Sequence, residues 1–119
     1  MSQFKITIGN WGESIAAAYY REQGCHLVAR NWRCRHGEID IVCVRGPLLY
    51  FVEVKTRRTM IFGNPEESIT PAKWQRMLLC AESFLEEKEM YSNGYTAVFN
   101  ICAIYTDYHA VDIRIFTNN

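Results

Sequence analysis

The sequence predicts an α/β fold in which a mixed β-sheet of about five strands is flanked by helices. Three observations lead to this prediction. Two segments carry apolar residues at helical spacing, one near the start and one in the middle of the chain. Five further segments are rich in β-branched and aromatic residues, which favour strands. Along the chain, the order is one helix, three strands, a second helix and two strands.

The first helix is predicted from Gly9 to about Gly24. A run of three alanines favours a helix, and glycine is a common residue at a helix C-terminus. We expect one face of this helix to pack in the core, because four apolar residues recur on it: Trp11, Ile15, Ala18 and Tyr19.

Three strands follow the first helix, at residues 27–34, 38–44 and 48–55. The second and third are apolar enough for the centre of a sheet. The short Gly46-Pro47 turn between them indicates a hairpin.

The second helix is predicted to follow a loop at residues 57–70 that contains glycine, asparagine and proline. Pro71 suits the first helical position, and Thr70 suits the N-cap. The last two strands are predicted at about 95–105 and 109–116. The apolar face of the second helix carries Trp74, Met77, Leu78, Ala81 and Leu85.

The length and composition indicate a single domain that covers residues 1–119. Hydrophobic residues make up 49% of the chain, which is enough for a core. The five cysteines are odd in number and form no Cys-x-x-Cys pair, which argues against a disulfide framework and a zinc ribbon. No signal peptide or membrane span is recognisable, so we expect a cytoplasmic protein without a membrane partner.

The charge is unevenly distributed, although the formal net charge is zero. Residues 30–76 contain nine Lys and Arg against five acids, whereas residues 77–119 contain two against six. A basic middle would place positive charge on one face of the fold. Ordinary surface variation explains the same numbers, and from charge alone it is the better explanation.

Three charged residues interrupt apolar strands: Asp40, Glu53 and Lys55. Charged groups inside a sheet are costly unless they are paired or bind an ion. Side chains alternate along a strand, so Glu53 and Lys55 share a face, while Asp40 lies on the neighbouring strand of the hairpin. Two interpretations stay open: a cation site, or a salt bridge between Lys55 and one of the acids. Spacing alone favours the salt bridge.

The same three residues have the chemistry of metal-assisted phosphodiester hydrolysis. Carboxylate oxygens bind Mg²⁺ or Mn²⁺. Such an ion polarises a phosphoryl oxygen and makes a bound water more acidic. A lysine within reach can orient that water or neutralise the charge that develops on the phosphate.

Several motifs resemble, in order and spacing, those of one known family. Residues 31–42 read Asn-Trp-Arg-Cys-Arg-His-Gly-Glu-Ile-Asp-Ile-Val, and residues 50–57 read Tyr-Phe-Val-Glu-Val-Lys-Thr-Arg. Gly9-x-x-Gly12-Glu13 precedes them, and a Gly-Asn-Pro-Glu-Glu-Ser-Ile stretch at 63–69 follows. Together they resemble the YraN-like family, small bacterial proteins assigned to the PD-(D/E)XK nuclease superfamily with Holliday-junction resolvases and restriction endonucleases.

The resemblance implies a restriction-endonuclease-like fold and a role for each matching residue. Asp40 and Glu53 would be metal ligands. Lys55 would be the lysine of the Glu-x-Lys pair, which positions water or stabilises charge. Glu13 would point toward the same site as an outer or second-metal ligand, and Glu38 would lie nearby.

Two further positions follow from the resemblance. Lys73 would reach from the second helix toward a phosphate. Asn100 stands where the family usually has an aspartate. If that aspartate serves the site, this chain has lost a charge there, and if it only supports the fold, nothing changes.

The first hypothesis is therefore a Mg²⁺- or Mn²⁺-dependent endonuclease that cuts DNA, with branched or distorted DNA as candidate substrates. A second is a module on the same fold that binds nucleic acid without cutting it. A third is a protein-interaction domain, in which the apolar last strand forms the edge of a homodimer. Five arginines and one histidine flank the predicted site, either as phosphate contacts or, equally well, as a solvated cluster: Arg30, Arg33, Arg35, His36, Arg57 and Arg58.

Overall fold

The computed structural model describes residues 2–57, 69–90, 94–106 and 110–118, and of residues 2–9 it describes the backbone alone. Within these residues the elements follow the predicted order of helix, three strands, helix and two strands. Most of the predicted loop at 57–70 lies outside the described residues. The elements are α1 (Ser2–Glu22), β1 (His26–Cys34), β2 (Gly37–Arg45), β3 (Leu48–Arg57), α2 (Pro71–Glu87), β4 (Thr96–Thr106) and β5 (Val111–Asn118).

The five strands form one mixed sheet in the order β1-β2-β3-β4-β5. The first three form an antiparallel meander. The chain then passes through α2 and enters β4, which pairs parallel to β3, and β5 pairs antiparallel to β4. This confirms the predicted α/β class, and the architecture is compatible with a restriction-endonuclease-like fold.

The two helices pack on opposite faces of the sheet, and each buries its own cluster. Ala16, Ala17 and Tyr20 of α1 contact the residues of β2, β3 and β4 that point to one face. Met77, Cys80, Ala81 and Phe84 of α2 contact the residues that point to the other face. On the α2 side, the Phe51 and Phe84 rings meet edge to face with centroids 5.8 Å apart. No helix in the described ranges is long and apolar enough to span a membrane.

The predicted face of α1 is correct for Ile15 and Tyr19, which pack against the core, and wrong for Trp11 and Ala18. Trp11 is 40% exposed and Ala18 is exposed, whereas Ala16, Ala17 and Tyr20 are buried. The reason is a tertiary contact: a Cβ at Gly12 would overlap the hydroxyl of Thr56 on β3, so the helix turns its glycine toward the sheet. The helix also begins at Ser2 rather than at Gly9.

The start of α2 confirms the capping prediction. Thr70 has extended backbone angles, and its hydroxyl accepts a hydrogen bond of 3.2 Å from the N–H of Lys73. Pro71 occupies the first turn, where its missing N–H removes no helical hydrogen bond. On the predicted apolar face, Met77 is buried but Leu78 is 38% exposed, because the core lies under Met77 and Phe84 instead.

Asn100, at the position of the family's usual aspartate, is buried between α1 and the edge strand. Its side-chain amide donates a 2.9 Å hydrogen bond to the Tyr20 hydroxyl and accepts one of 2.9 Å from Thr117. Burial raises the pKa of the Tyr20 phenol well above its usual value, so the hydroxyl stays protonated. Asn100 therefore links α1, β4 and β5. The homodimer through β5 stays a prediction.

Candidate metal and phosphate site

The sheet is irregular at the level of Asp40. The ladder between β2 and β3 ends at the Ile41–Val52 pair. Asn31 of β1, which stands opposite Asp40, has a left-handed backbone with φ of 52°. Ile39 packs in the cluster under α2, whereas Ile41 packs in the cluster under α1, so regular alternation is interrupted between them. The strand pairing and the alternation of side chains along β2 are therefore both interrupted at Asp40.

Asp40 replaces part of the missing ladder with its own side chain. Its Oδ2 accepts a 2.7 Å hydrogen bond from the backbone N–H of Val54 on β3. Burial raises the pKa of Asp40 to about 7, the Val54 hydrogen bond opposes the rise, and the charges of Glu13, Glu38 and Glu53 add to it. Four carboxylates from α1, β2 and β3 therefore share one electrostatic environment.

Glu53 lies on the face of β3 that α2 covers, and α2 supplies its charge partners. Arg76 Nη2 donates to Glu53 Oε1 at 2.7 Å, and Lys73 Nζ lies 3.3 Å from Glu53 Oε2. The second contact is an ion pair without the alignment of a hydrogen bond. The Glu53 side chain is only 17% exposed, so both contacts act in partly buried surroundings, where they are stronger than at the surface.

Lys55 lies on the same side of the sheet as Glu53, as the alternation along β3 predicts. Burial lowers the pKa of Lys55 to about 8, and the hydrogen bond and charge of Lys73 lower it further, while Glu53 opposes the shift. The two lysines are thus neighbours. In the described residues the ion pairs of Glu53 are with Lys73 and Arg76. The predicted alternative, a salt bridge between Lys55 and one of the acids, is therefore not found in these residues. The cations that pair with Glu53 come from α2.

Glu13 reaches the site because α1 approaches β3 at the preceding residue, Gly12. The close approach to Thr56 leaves no room for a side chain at Gly12. Glu13 Oε1 lies 3.9 Å from Nη2 of Arg30, and the Asn31 side chain is its hydrogen-bond partner. Burial raises the pKa of Glu13, and both of these neighbours oppose the rise. The irregular backbone at Asn31 thereby contributes a contact to the site.

The remaining predicted residues are Glu38 and the arginines. Glu38 lies 3.8 Å from Arg33, and its charge acts on Asp40. Arg33, Arg35 and Arg57 are exposed to solvent. The predicted phosphate contact at Arg58 falls on a residue outside the described ranges.

Arg76 is a site residue that the sequence analysis missed. It lies three residues after Lys73, so both side chains leave the same face of α2, and this spacing was the available signal. Its Cδ would be 3.1 Å from a Cβ at Gly37, the first residue of β2. Gly37 therefore leaves space for the arginine stem, in a backbone conformation with φ of 138° that disfavours other residues.

The donor atoms at the site suit a hard divalent cation. Glu13 Oε1 and Glu53 Oε2 are buried and accept no hydrogen bond from the residues that the structure describes. Over the same residues, no three His, Cys, Asp or Glu side chains lie close enough together to hold a metal ion. Magnesium commonly uses one or two carboxylates and completes its shell with water and phosphate. Asp40 and Glu53 supply that number.

Comparison with known proteins gives a consistent result. The model of the "Uncharacterised protein family UPF0102" matches residues 12–110. The chain is 44% identical over 105 residues to a UPF0102 protein of Acidothermus cellulolyticus, covering 82% of this chain and 80% of that protein. It is 42% identical over 86 residues to one of Rhodococcus opacus, covering 72% and 73%. It is 35% identical over 92 residues to one of Clostridium perfringens, covering 77% and 75%.

Proposed function

We propose that this chain, which belongs to the UPF0102 family, is a divalent-cation-dependent endonuclease that hydrolyses phosphodiester bonds in DNA. This is the YraN-like family that the motifs resemble. Membership in the PD-(D/E)XK nuclease superfamily is part of the proposal, as is a preference for branched or distorted DNA. The mixed five-stranded sheet is compatible with the fold of that superfamily.

The observation that carries the proposal is the grouping of charges around Asp40. Burial raises its pKa to about 7, and the charges of Glu13, Glu38 and Glu53 contribute to the rise. Like charges gathered in a partly buried place destabilise one another, and clusters of this kind are common at functional sites. A bound divalent cation would offset that repulsion and so stabilise the grouping of the acids.

The residues divide into three tasks. Asp40 and Glu53 would hold the cation, with Glu13 as an outer ligand. When bound, a divalent cation supplies Lewis-acid activation of the scissile phosphate. Because the pKa of Lys55 is lowered to about 8, a sizeable fraction of this amine is neutral just above neutral pH. The neutral form would accept a proton from the attacking water, and the charged form would stabilise the developing negative charge.

Lys73 and the exposed arginines have the remaining task, which is to hold the DNA backbone. Lys73 lies beside Lys55 and Glu53, so its ammonium would reach a phosphate bound next to the carboxylates. Arg33, Arg35 and Arg57 are exposed to solvent and would contact neighbouring phosphates. Basic side chains around an acidic centre would bind the polyanion, and a bound phosphate would compete with Glu53 for the Lys73 ammonium.

The test is cleavage of labelled duplex, single-stranded and four-way-junction DNA in Mn²⁺ or Mg²⁺. We expect the wild type to cut at least one substrate, and Asp40→Asn and Glu53→Gln to lose at least about 100-fold in rate. Asp112→Asn is the matched control, because this exposed acid on β5 lies outside the site. Absence of metal-dependent cleavage by the wild type on all three substrates would contradict the proposal, as would full activity of Asp40→Asn.

A second candidate is a nucleic-acid-binding module that does not cut. It is favoured by the ion pairs that already occupy Glu53, and by the absence of a three-ligand group in the described part of the chain. Binding that persists in a chelator, falls steeply with salt and yields no products would select it. In that case Asp40→Asn would bind as tightly as the wild type.

A further inference from the structure

Two pairs of cysteines lie in contact inside the protein, and they differ in their access to solvent. Cys34 Sγ on β1 lies 3.5 Å from Cys80 Sγ on α2. Cys43 forms a second pair with Cys25, through a hydrogen bond between their thiols. All four are free thiols. Cys34 is half-buried, whereas Cys25 is 5% exposed and Cys43 and Cys80 are 0% exposed. A small reagent in solvent can therefore reach the first pair and not the second.

We propose that Cys34 and Cys80 form an oxidation site, at which a peroxide converts the two thiols into an intramolecular disulfide. The sulfurs are already in contact, and a disulfide of about 2 Å requires them to approach by roughly 1.5 Å more. The two elements are also held together independently of the thiols. Trp32 on β1 stacks edge to face on Phe84 at 5.3 Å and donates a 2.9 Å hydrogen bond to Glu87.

The environment assigns different roles to the two sulfurs. Cys34 is the one that solvent reaches, and its sulfur accepts a hydrogen bond from the His36 N–H at 3.4 Å. Solvent access and an N–H donor to the sulfur are typical of thiols that react as nucleophiles. Burial, with Cys34 beside it, raises the pKa of Cys80 to about 12, so this thiol stays protonated. Cys34 is thus the attacking thiol and Cys80 the resolving one.

The reaction proceeds in two balanced steps. The Cys34 thiolate attacks one oxygen of hydrogen peroxide, the O–O bond breaks, and the departing hydroxide takes up a proton as water, leaving a sulfenic acid on Cys34. The Cys80 sulfur then attacks the Cys34 sulfur, the S–O bond breaks, and the hydroxide leaves with the Cys80 proton as a second water. Two thiols are oxidised to one disulfide, and one peroxide is reduced to two waters.

The disulfide would lie next to the candidate metal and phosphate site. Cys80 follows Arg76 by one helical turn, and the charges of both Arg76 and Glu53 act on its thiol. A covalent link from β1 to α2 would therefore fix the helix that supplies the cations of Glu53. The oxidation site does not depend on the proposed nuclease function, because it rests on the two sulfurs alone.

The experiment is treatment of the reduced protein with a small excess of hydrogen peroxide, followed by thiol counting in denaturant and by peptide mapping. We expect the count to fall from the five free thiols to three, with one Cys34–Cys80 cross-linked peptide. Cys25 and Cys43 serve as the control within the same molecule and should stay reduced. A dithiol reductant should restore all five thiols.

Two variants separate the roles. Cys34→Ser should retain its remaining thiols under the same treatment, because the attacking sulfur is gone. Cys80→Ala should instead accumulate a sulfenic acid on Cys34 that dimedone traps. The proposal is overturned if the wild type keeps all five thiols, if the Cys25–Cys43 pair oxidises as readily, or if the disulfides formed are intermolecular. The wild-type experiment gives this decision even if a variant folds poorly.

Discussion

Asp40 and Glu53 are adjacent acids of one candidate site, yet their surroundings are opposite in charge. Glu53 faces two cations of α2, Arg76 at 2.7 Å and Lys73 at 3.3 Å. Asp40 takes its 2.7 Å hydrogen bond from a neutral backbone N–H, and three carboxylates act on it. The contrast arises from the helices, because α2 brings bases to Glu53 while α1 brings Glu13 toward Asp40.

The difference predicts that the two residues contribute differently to stability. A paired carboxylate stabilises the fold as well as the site, whereas a carboxylate gathered with like charges costs stability. Residues of the second kind are retained where a ligand compensates the cost. The comparison therefore predicts that neutralising the two acids changes the free energy of unfolding in opposite directions.

The largest effect is expected for Glu53→Gln. The change leaves the Arg76 guanidinium and the Lys73 ammonium without a counter-charge, and the free energy of unfolding should fall by about 2 kcal/mol. Urea unfolding at pH 7 measures this. Asp112→Asn is the control, since that ion pair with Arg114 is exposed, and it should change stability by less than about 0.5 kcal/mol. An unchanged stability of Glu53→Gln would show that α2 does not depend on the pair.

Asp40→Asn should act in the other direction and depend on pH. An unfolded aspartate has a pKa near 4, whereas the pKa of Asp40 in the fold is about 7. Between these values the native state holds a proton that the unfolded state has lost, so wild-type stability falls as the pH rises from about 4 to about 7. An asparagine keeps an oxygen for the Val54 N–H and lacks this penalty.

The measurement for Asp40→Asn is urea unfolding at pH 4 and pH 8. The variant should match the wild type at pH 4 and exceed it by about 1 kcal/mol at pH 8, a value well below the full shift because the side chain is partly solvated. Equal stabilities at both pH values would mean that Asp40 ionises without cost, and the two acids would then be equivalent.

The smallest effect is expected for Arg76→Gln, which makes the surroundings of Glu53 more like those of Asp40. With one competing cation removed, Mn²⁺ should bind about threefold more tightly in the absence of DNA, which is about 0.7 kcal/mol. Calorimetric titration measures this. Lys88→Gln, at the exposed end of the same helix, is the control and should leave the affinity unchanged. Weaker binding by Arg76→Gln would show that the arginine supports the cation site instead of competing with it.

Local signals in the sequence were sufficient for the order of elements and for the helix start at Thr70 and Pro71. These signals act over a few residues, so tertiary contacts had little effect on where these elements form. The buried face of α1 could not be fully predicted from such local signals. Trp11 is the largest apolar residue of that helix, but the contact between Gly12 and Thr56 decides which face meets the sheet. The spacing of apolar residues along α1 gives no information about a contact with a residue of β3.

The part of the candidate site that lies on the consecutive strands β2 and β3 was predictable from the sequence. The alternation along β3 placed Glu53 and Lys55 on one face, and the motif identified Asp40. The partners from elsewhere in the chain were not predictable. Arg76 stood out only by its spacing from Lys73, and the meeting of Cys34 with Cys80 needs the packing of α2 on β1. The roles of these residues in metal binding and catalysis stay predictions.

The parallel pairing of β3 with β4 has a consequence for the order in which the protein folds. Its ten residue pairs, from Leu48–Thr96 to Arg57–Tyr105, join segments that are far apart in the chain. Such pairs form slowly, since a long loop must close before any of them is made. The β1–β2–β3 meander needs no such closure, and it emerges from the ribosome before α2 and β4. We therefore expect Asp40 and Glu53 to be brought together early on a solvated meander, and the bases of α2 to reach Glu53 last.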